Sequence, residues 1–344
     1  MEYQTKKHSG DSRALLESEM KAFLGEDPKK PLSPFIEFVK KHEELELCFR
    51  GNSTPRITIY SKNHIIFTVY VSGKMEISFN HARYCEKWRD YFNILCKDYG
   101  FNGKIGKNKY GNTDVGYLTR CLNKNDNLPL KEEEIESIYE DVLKPIFERY
   151  FEVEGKAGIE DYFKNGKIVK VSGKTEKKRQ QEIYGRFKKV KDGYFFYDLE
   201  FSQKHKDKTD RDNDSTNNEP DMQAIRFRKN GKPESIVFVE VKCTEFAMDG
   251  PSGLEEHIKK MKKYKKSRLV DRRKEACDIM NQYAQLGLRG LTKKNVFEYD
   301  DFKNLPLEIL VLLTDEVIDV WNTDSRYRSK EIKCEYPDMR VYSV

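Results

Sequence analysis

Cysteine is sparse and unpatterned in this chain of 344 residues. The seven cysteines (48, 85, 96, 121, 243, 277 and 334) contain no C-x-x-C pair. That argues against a disulfide framework and against a thiolate zinc site, and it reads as reduced thiols. Long apolar runs are also missing: nothing approaches the roughly 20 residues that cross a bilayer. The opening Met1-Glu-Tyr-Gln-Thr-Lys-Lys has no apolar stretch of the secretory type. The expectation is a soluble, cytoplasmic protein with no membrane partner. No Walker A loop, no suitably placed G-x-G-x-x-G turn and no Ser/His/Asp pattern occurs on a fitting element, so neither phosphate-cradling loops nor acyl-transfer triads are signalled. Charge of one sign is not in large excess. The net +6 permits a polyanionic partner without demanding one.

Hydrophobic residues make up a low 37% of the chain and charged residues 35%. The apolar residues are nevertheless grouped into periodic runs, and the length suits two domains. Residues 1–34 read as a polar segment with one helical patch, 13–24, followed by breaks at Pro28, Pro31 and Pro34. Four apolar runs at 45–50, 56–60, 64–71 and 75–79, separated by turn residues, predict an antiparallel meander. A helix over 82–95, a polar loop over 101–127 and a helix over 131–153 bent at Pro145 complete an α+β accessory domain at 35–155.

The second half has a different texture. A helix is expected over 175–187, a strand over 194–202 and a charged run over 203–220. Strands follow at 221–228 and 235–244, joined by a turn at Asn230-Gly231. A basic helix or helix pair then spans 254–287, and a strand spans 307–313. The order is αβββαβ, within a core at 172–320 and with a C-terminal extension at 321–344.

The run Ser235-Ile-Val-Phe-Val-Glu-Val-Lys-Cys-Thr244 concentrates the chemistry. Strand alternation puts Glu240 and Lys242 on one side and Val239, Val241 and Cys243 on the other. Two charges on one face of an apolar strand call for a partner, a metal or a substrate. Pro220-Asp221 heads the preceding strand. Pro-Asp on one strand and Glu-x-Lys at the end of the next, in this element order, resembles the PD-(D/E)XK nuclease superfamily over about residues 172–315.

The resemblance implies an α/β, mixed-sheet, restriction-endonuclease-like core and Mg²⁺-dependent hydrolysis of phosphodiesters, with Mn²⁺ as a substitute. Asp221 and Glu240 would hold the metal, and Lys242 would orient or help deprotonate the attacking water. For a further metal ligand, Glu182 on the first helix and Glu200 late on the first strand remain open alternatives. DNA is favoured over RNA as partner, a restriction or defence role is the readiest setting, and a homodimer that cuts two strands is expected. A non-cleaving binding module and an RNA-directed nuclease are the rival readings.

Other features weigh less. Asp210, Asp212, Asp214 and Asp221 match EF-hand spacing, but Ser215 stands where the sharp turn wants glycine, and strands flank the loop. Lys259, Lys262, Lys263 and Lys266, extended by Arg272, Arg273 and Lys274, form a basic face for backbone phosphates, above a stripe of Leu254, Ile258, Met261 and Leu269. His257 beside it reads as a surface histidine. His81 and Arg83, at a strand-to-helix junction, read as capping and surface residues.

Overall fold

The computed structural model describes residues 13–27, 32–51, 54–61, 64–78, 87–107, 113–114, 117–122, 130–148, 162–164, 167–169, 180, 183–187, 189, 193–199, 220–243, 248, 253–262, 266–323 and 339–343, some of them, Lys262 and Lys266 included, as backbone only. The chain divides into two compact units, Met1–Val171 and Ser172–Val344. It is a mixed α/β protein with one antiparallel and one mixed five-stranded sheet.

The first unit runs α1 (Glu17–Phe23), α2 (Ser33–Lys41), β1 (Leu45–Arg50), β2 (Arg56–Ser61), β3 (His64–Tyr70), β4 (Lys74–Ser78) and α3 (Trp88–Lys97). A minimal pair follows, β5 (Gly106–Lys107) with β6 (Thr113–Asp114), then β7 (Tyr117–Cys121), α4 (Glu132–Ser137) and a hairpin of β8 (Tyr162–Lys164) and β9 (Lys167–Val169). The sheet order β1-β2-β3-β4-β7 is antiparallel throughout, so the expected meander is present and gains a fifth strand.

Three expectations change here. Pro34 does not break regular structure: it occupies the first turn of α2, where its missing N–H costs no intrahelical bond. The polar stretch 101–127 is not all loop, because Tyr117–Cys121 alternates exposed and buried residues and pairs with β4. Its surroundings, rich in Gly, Lys and Asn, mask that short alternation in the sequence. The helix before Pro145 is π-helical over Ile138–Leu143. Proline cannot donate to the carbonyl one turn back, and a widened turn absorbs the mismatch. Gly51 is required by close approach: a Cβ there would stand 1.7 Å from the Ala14 carbonyl oxygen. Its N–H donates to the Arg13 carbonyl at 2.9 Å, tying residues 13–15 to the end of β1.

The second unit runs β10 (Tyr194–Leu199), β11 (Met222–Phe227), β12 (Pro233–Lys242), α5 (Leu254–Lys262), α6 (Lys266–Leu286), α7 (Tyr299–Phe302), β13 (Leu307–Leu313), α8 (Asp315–Thr323) and β14 (Met339–Ser343). Of the helix expected over 175–187, residues 180 and 183–187 are described, and they are helical at 180 and 183–186. The sheet order is β10-β11-β12-β13-β14; the first two pairings are antiparallel and the last two parallel. The segment 321–344, expected as an extension, thus returns its last strand to the sheet beside β13.

Leu254, Ile258 and Met261 of α5, with Val317 and Trp321 of α8, pack on Phe238, Ile309, Val311 and Leu313. Each such side chain contributes about 2 kcal/mol by leaving water. The packing fixes α5 over one face of β12.

A bulge between Phe196 and Asp198 interrupts the β10–β11 ladder. Arg289, a non-glycine residue at φ 59°, donates from Nη1 to the Phe196 carbonyl and from Nη2 to the Tyr184 hydroxyl, and its guanidinium lies 4.4 Å from the Tyr283 ring centroid. Tyr283 donates to the Tyr197 carbonyl at 3.3 Å. The two carbonyls at the bulge are therefore satisfied from outside the sheet, as buried backbone groups require.

At the other end of the sheet, buried Glu308 accepts from Tyr194 (2.9 Å), Ser235 (2.9 Å) and Arg226 Nε (2.6 Å). Glu308→Ala takes the acceptor from the buried Tyr194 and Ser235 hydroxyls and one carboxylate from Arg226, which keeps Ser235 Oγ and Glu234. Denaturant unfolding should show a loss on the order of 3 kcal/mol. A change below about 0.5 kcal/mol, the range of ordinary surface substitutions, would contradict this network.

Candidate functional site

The β11–β12 register brings the site together. Met222 pairs with Val239, so Asp221, one residue earlier, falls beside Glu240 at the head of the ladder. The Val241 N–H donates to Asp221 Oδ2 at 2.7 Å, which ties the aspartate to β12. Val239 and Val241 are fully buried on the far side, as alternation predicts. Parallel pairing with β13 sets Glu240 against Val311 and Lys242 against Leu313. The Thr314 N–H closes the strand end by donating to the Lys242 carbonyl at 3.2 Å.

Glu240 has no exposed side-chain surface, and Lys242 retains 4%. The two are not independent: Lys242 Nζ lies 2.8 Å from Glu240 Oε1. His257 Nδ1, from α5, approaches the same oxygen at 2.5 Å. A carboxylate accepting from an ammonium is ionised, so the imidazole must supply the proton of its hydrogen bond, which puts a hydrogen on Nδ1. The second oxygen of Glu240, Oε2, is buried and has no hydrogen-bond partner. A buried ionised oxygen left bare is costly. It is also the atom a cation would take.

His257, expected at the surface, is not a surface histidine. It is half-buried and belongs to the apolar stripe Leu254, Ile258 and Met261 at helical spacing. A histidine in such a stripe was the available signal. Gln223 is a second addition. It is fully buried on β11, two residues after Asp221, accepts from the Tyr197 hydroxyl at 3.0 Å, and its Nε2 has no partner. Asp198 pairs opposite Gln223. Strand phase alone predicts Tyr197 and Asp198 on opposite faces, but the bulge between Phe196 and Asp198 turns both toward Gln223.

Glu182, Glu200 and the loop acids Asp210, Asp212 and Asp214 lie outside the described residues, as do His81, Arg83 and Lys263. The described part of the basic face differs from the expectation. Lys259 is held by Glu255 at 2.7 Å and Glu256 at 3.3 Å. These bonds, Glu255 foremost, raise its pKa above the ordinary lysine value. Arg272 is buried against Glu275, Arg273 donates to the Leu305 carbonyl, and Lys274 pairs with Asp278. These three serve the helix and its neighbours rather than an outward basic strip. The described cysteines are free thiols. Burial pushes the Cys277 thiol up to about 11, which makes it inert rather than nucleophilic.

Among the described residues, one trio of metal-capable side chains has all its ligand atoms within 4.8 Å of one another, and it lies in the first unit: His42, Glu136 and Glu140. His42 bridges Glu136 (2.8 Å) and Glu44 (3.1 Å), and Lys144 pairs with Glu140. Burial pushes the Glu44 carboxyl up, but bonds from its own backbone N–H and from His42 outweigh this and hold it below the usual range.

No known protein family, no characterised protein and no solved structure matches the chain.

The shared oxygen of Glu240 gives a stability prediction. Lys242→Met and Glu240→Gln should each destabilise the second unit by on the order of 3 kcal/mol, because each strands one member of a buried pair. The double variant should lose at least 1 kcal/mol less than the sum of the two. Denaturant titrations of the four proteins check this; strict additivity would show that the pair is uncoupled.

Proposed function

We propose that the second unit is a metal-dependent phosphodiesterase of the PD-(D/E)XK type, acting on nucleic acid and most readily on DNA. One observation carries the reading. An acid at the head of β11 stands beside a buried Glu-x-Lys pair on β12, and that glutamate keeps one buried oxygen without a partner. The strand order, with β12 antiparallel to β11 and parallel to β13, supports the reading as well.

The residues fit a hard divalent cation. Carboxylate oxygens suit Mg²⁺ and Mn²⁺, and Glu240 Oε2 together with Asp221 supplies them. When bound, such an ion would lower the pKa of a coordinated water and offset phosphate charge. The chain's own parts do the rest. Asp221 is oriented by the Val241 N–H. Lys242 brings a positive charge to the same strand face, where it screens the phosphate and orients the attacking water. Val239 and Val241 keep the far side of the strand dry.

Plasmid, single-stranded DNA and RNA, each incubated with Mg²⁺, Mn²⁺ or EDTA, test the proposal. Cleavage should need the divalent ion, and Lys242→Met should lower the rate at least about 100-fold, the minimum usually ascribed to a positioned acid–base group, while circular dichroism stays native. Binding without cleavage under every condition would replace the enzyme by a non-cleaving module. Cleavage of RNA alone would move the substrate class. Charge reversal at Lys262, Lys263 and Lys266 should make the log–log dependence of affinity on salt shallower by about 2–3, near 0.9 per lost phosphate contact. An unchanged slope would put the binding face elsewhere.

A further inference from the structure

Glu240 accepts two donors on one oxygen and none on the other. Lys242 comes from the same strand, two residues on, and its long stem leaves it several ways to reach the carboxylate. His257 comes from a different element and has a rigid ring. Its backbone is placed by Leu254, Ile258 and Met261, which are locked into the core against Phe238, Val311 and Leu313. The ring therefore meets Glu240 from a fixed direction and holds Oε1 at 2.5 Å. With Oε1 held, a carboxylate has one remaining freedom, the rotation that decides where Oε2 points.

We infer that His257 is a positioning residue: by donating from Nδ1 to Glu240 Oε1 it turns the buried, unpartnered Oε2 toward the place of a divalent cation. The inference rests on the metal-dependent reading above. His257 touches neither the cation nor the substrate in this arrangement. It acts through Glu240, as hydrogen-bond partners of ligating carboxylates do, and loss of such a partner costs about 10- to 100-fold in metal affinity. It also makes α5 the element that couples the metal ligand to the apolar core, so the site depends on helix seating and not on strand geometry alone.

Asparagine and leucine have nearly the same shape, and the asparagine amide reproduces the Nδ1–H donor while leucine has none. The experiment therefore compares wild type, His257→Asn, His257→Leu and Glu240→Gln, each carrying His42→Ala so that the His42–Glu136–Glu140 trio of the first unit adds no signal. Mg²⁺ and Mn²⁺ binding is read by calorimetry without nucleic acid, beside thermal unfolding with and without the ion. His257→Leu should bind at least about 10-fold more weakly, and His257→Asn should stay within about threefold of the parent. In cleavage assays the leucine variant should need more metal for half-maximal rate yet approach the parental rate at saturation.

Parental binding that vanishes in Glu240→Gln but persists unchanged in His257→Leu would overturn the positioning role and leave the proposed function standing. No divalent binding by the parent would overturn both. Equal losses in the asparagine and leucine variants, with native unfolding temperatures, would also overturn it, since the donor would then be irrelevant. If the leucine variant fails to fold, the asparagine variant decides by itself: a tenfold or greater loss in that folded protein rejects the donor argument.

Discussion

An ionised carboxylate with no access to water is the constraint around which the second unit is arranged. Glu240 sits at the end of the central strand β12 with no exposed surface, and removing such a charge from water is tolerable only with strong compensation. The compensation comes from two directions. Lys242 supplies it along the strand, and His257 supplies it from the helix packed above. Three larger features of the unit bear on this arrangement. Parallel pairing with β13 carries the sheet as far as Lys242, the α5 and α8 side chains seal the face, and Asp221 is tied in by the amide between the two charges.

Compensation of this kind is incomplete by construction. Three donors or charges meet Glu240 and Asp221, yet Oε2 of Glu240 is left bare. Its counterpart at the opposite end of the sheet is Glu308, whose two oxygens accept from tyrosine, serine and arginine. The contrast is informative. The same sheet holds one buried glutamate that is fully satisfied and one that is not, and a fold able to satisfy the first has left the second open. The satisfied one is structural. The open one is where a ligand gains most, because it relieves a desolvation cost already present in the free protein.

The first unit shows how local chemistry is bent by packing. Pro34 and Pro145 are the same residue type with different outcomes. At the first turn of α2 a missing N–H costs nothing, whereas deep in the helix that follows α4 it is met by a π-helical widening over Ile138–Leu143. The bulge in β10 is the corresponding device in the second unit. It frees two carbonyls, and Arg289 and Tyr283 reach in to satisfy them.

Alternation and helical spacing in the sequence were enough for the four-strand meander of the first unit, for β10 to β13 with their order, and for the placement of Glu240 and Lys242 on one face. Those properties follow from backbone periodicity, which each residue carries locally. They were not enough for Tyr117–Cys121 or Met339–Ser343, short strands whose signal is weaker than the polar residues around them and whose existence depends on a neighbouring edge. Nor could they show that Arg272 turns inward, that Tyr197 and Asp198 share a face, or that His257 meets Glu240. A bulge shifts phase without marking the sequence, and a contact across 17 residues depends on where a helix lands, which the whole core decides. The sequence determined which residues can do chemistry; the tertiary structure decided that Lys242 and His257 share one oxygen of Glu240 and leave the other bare.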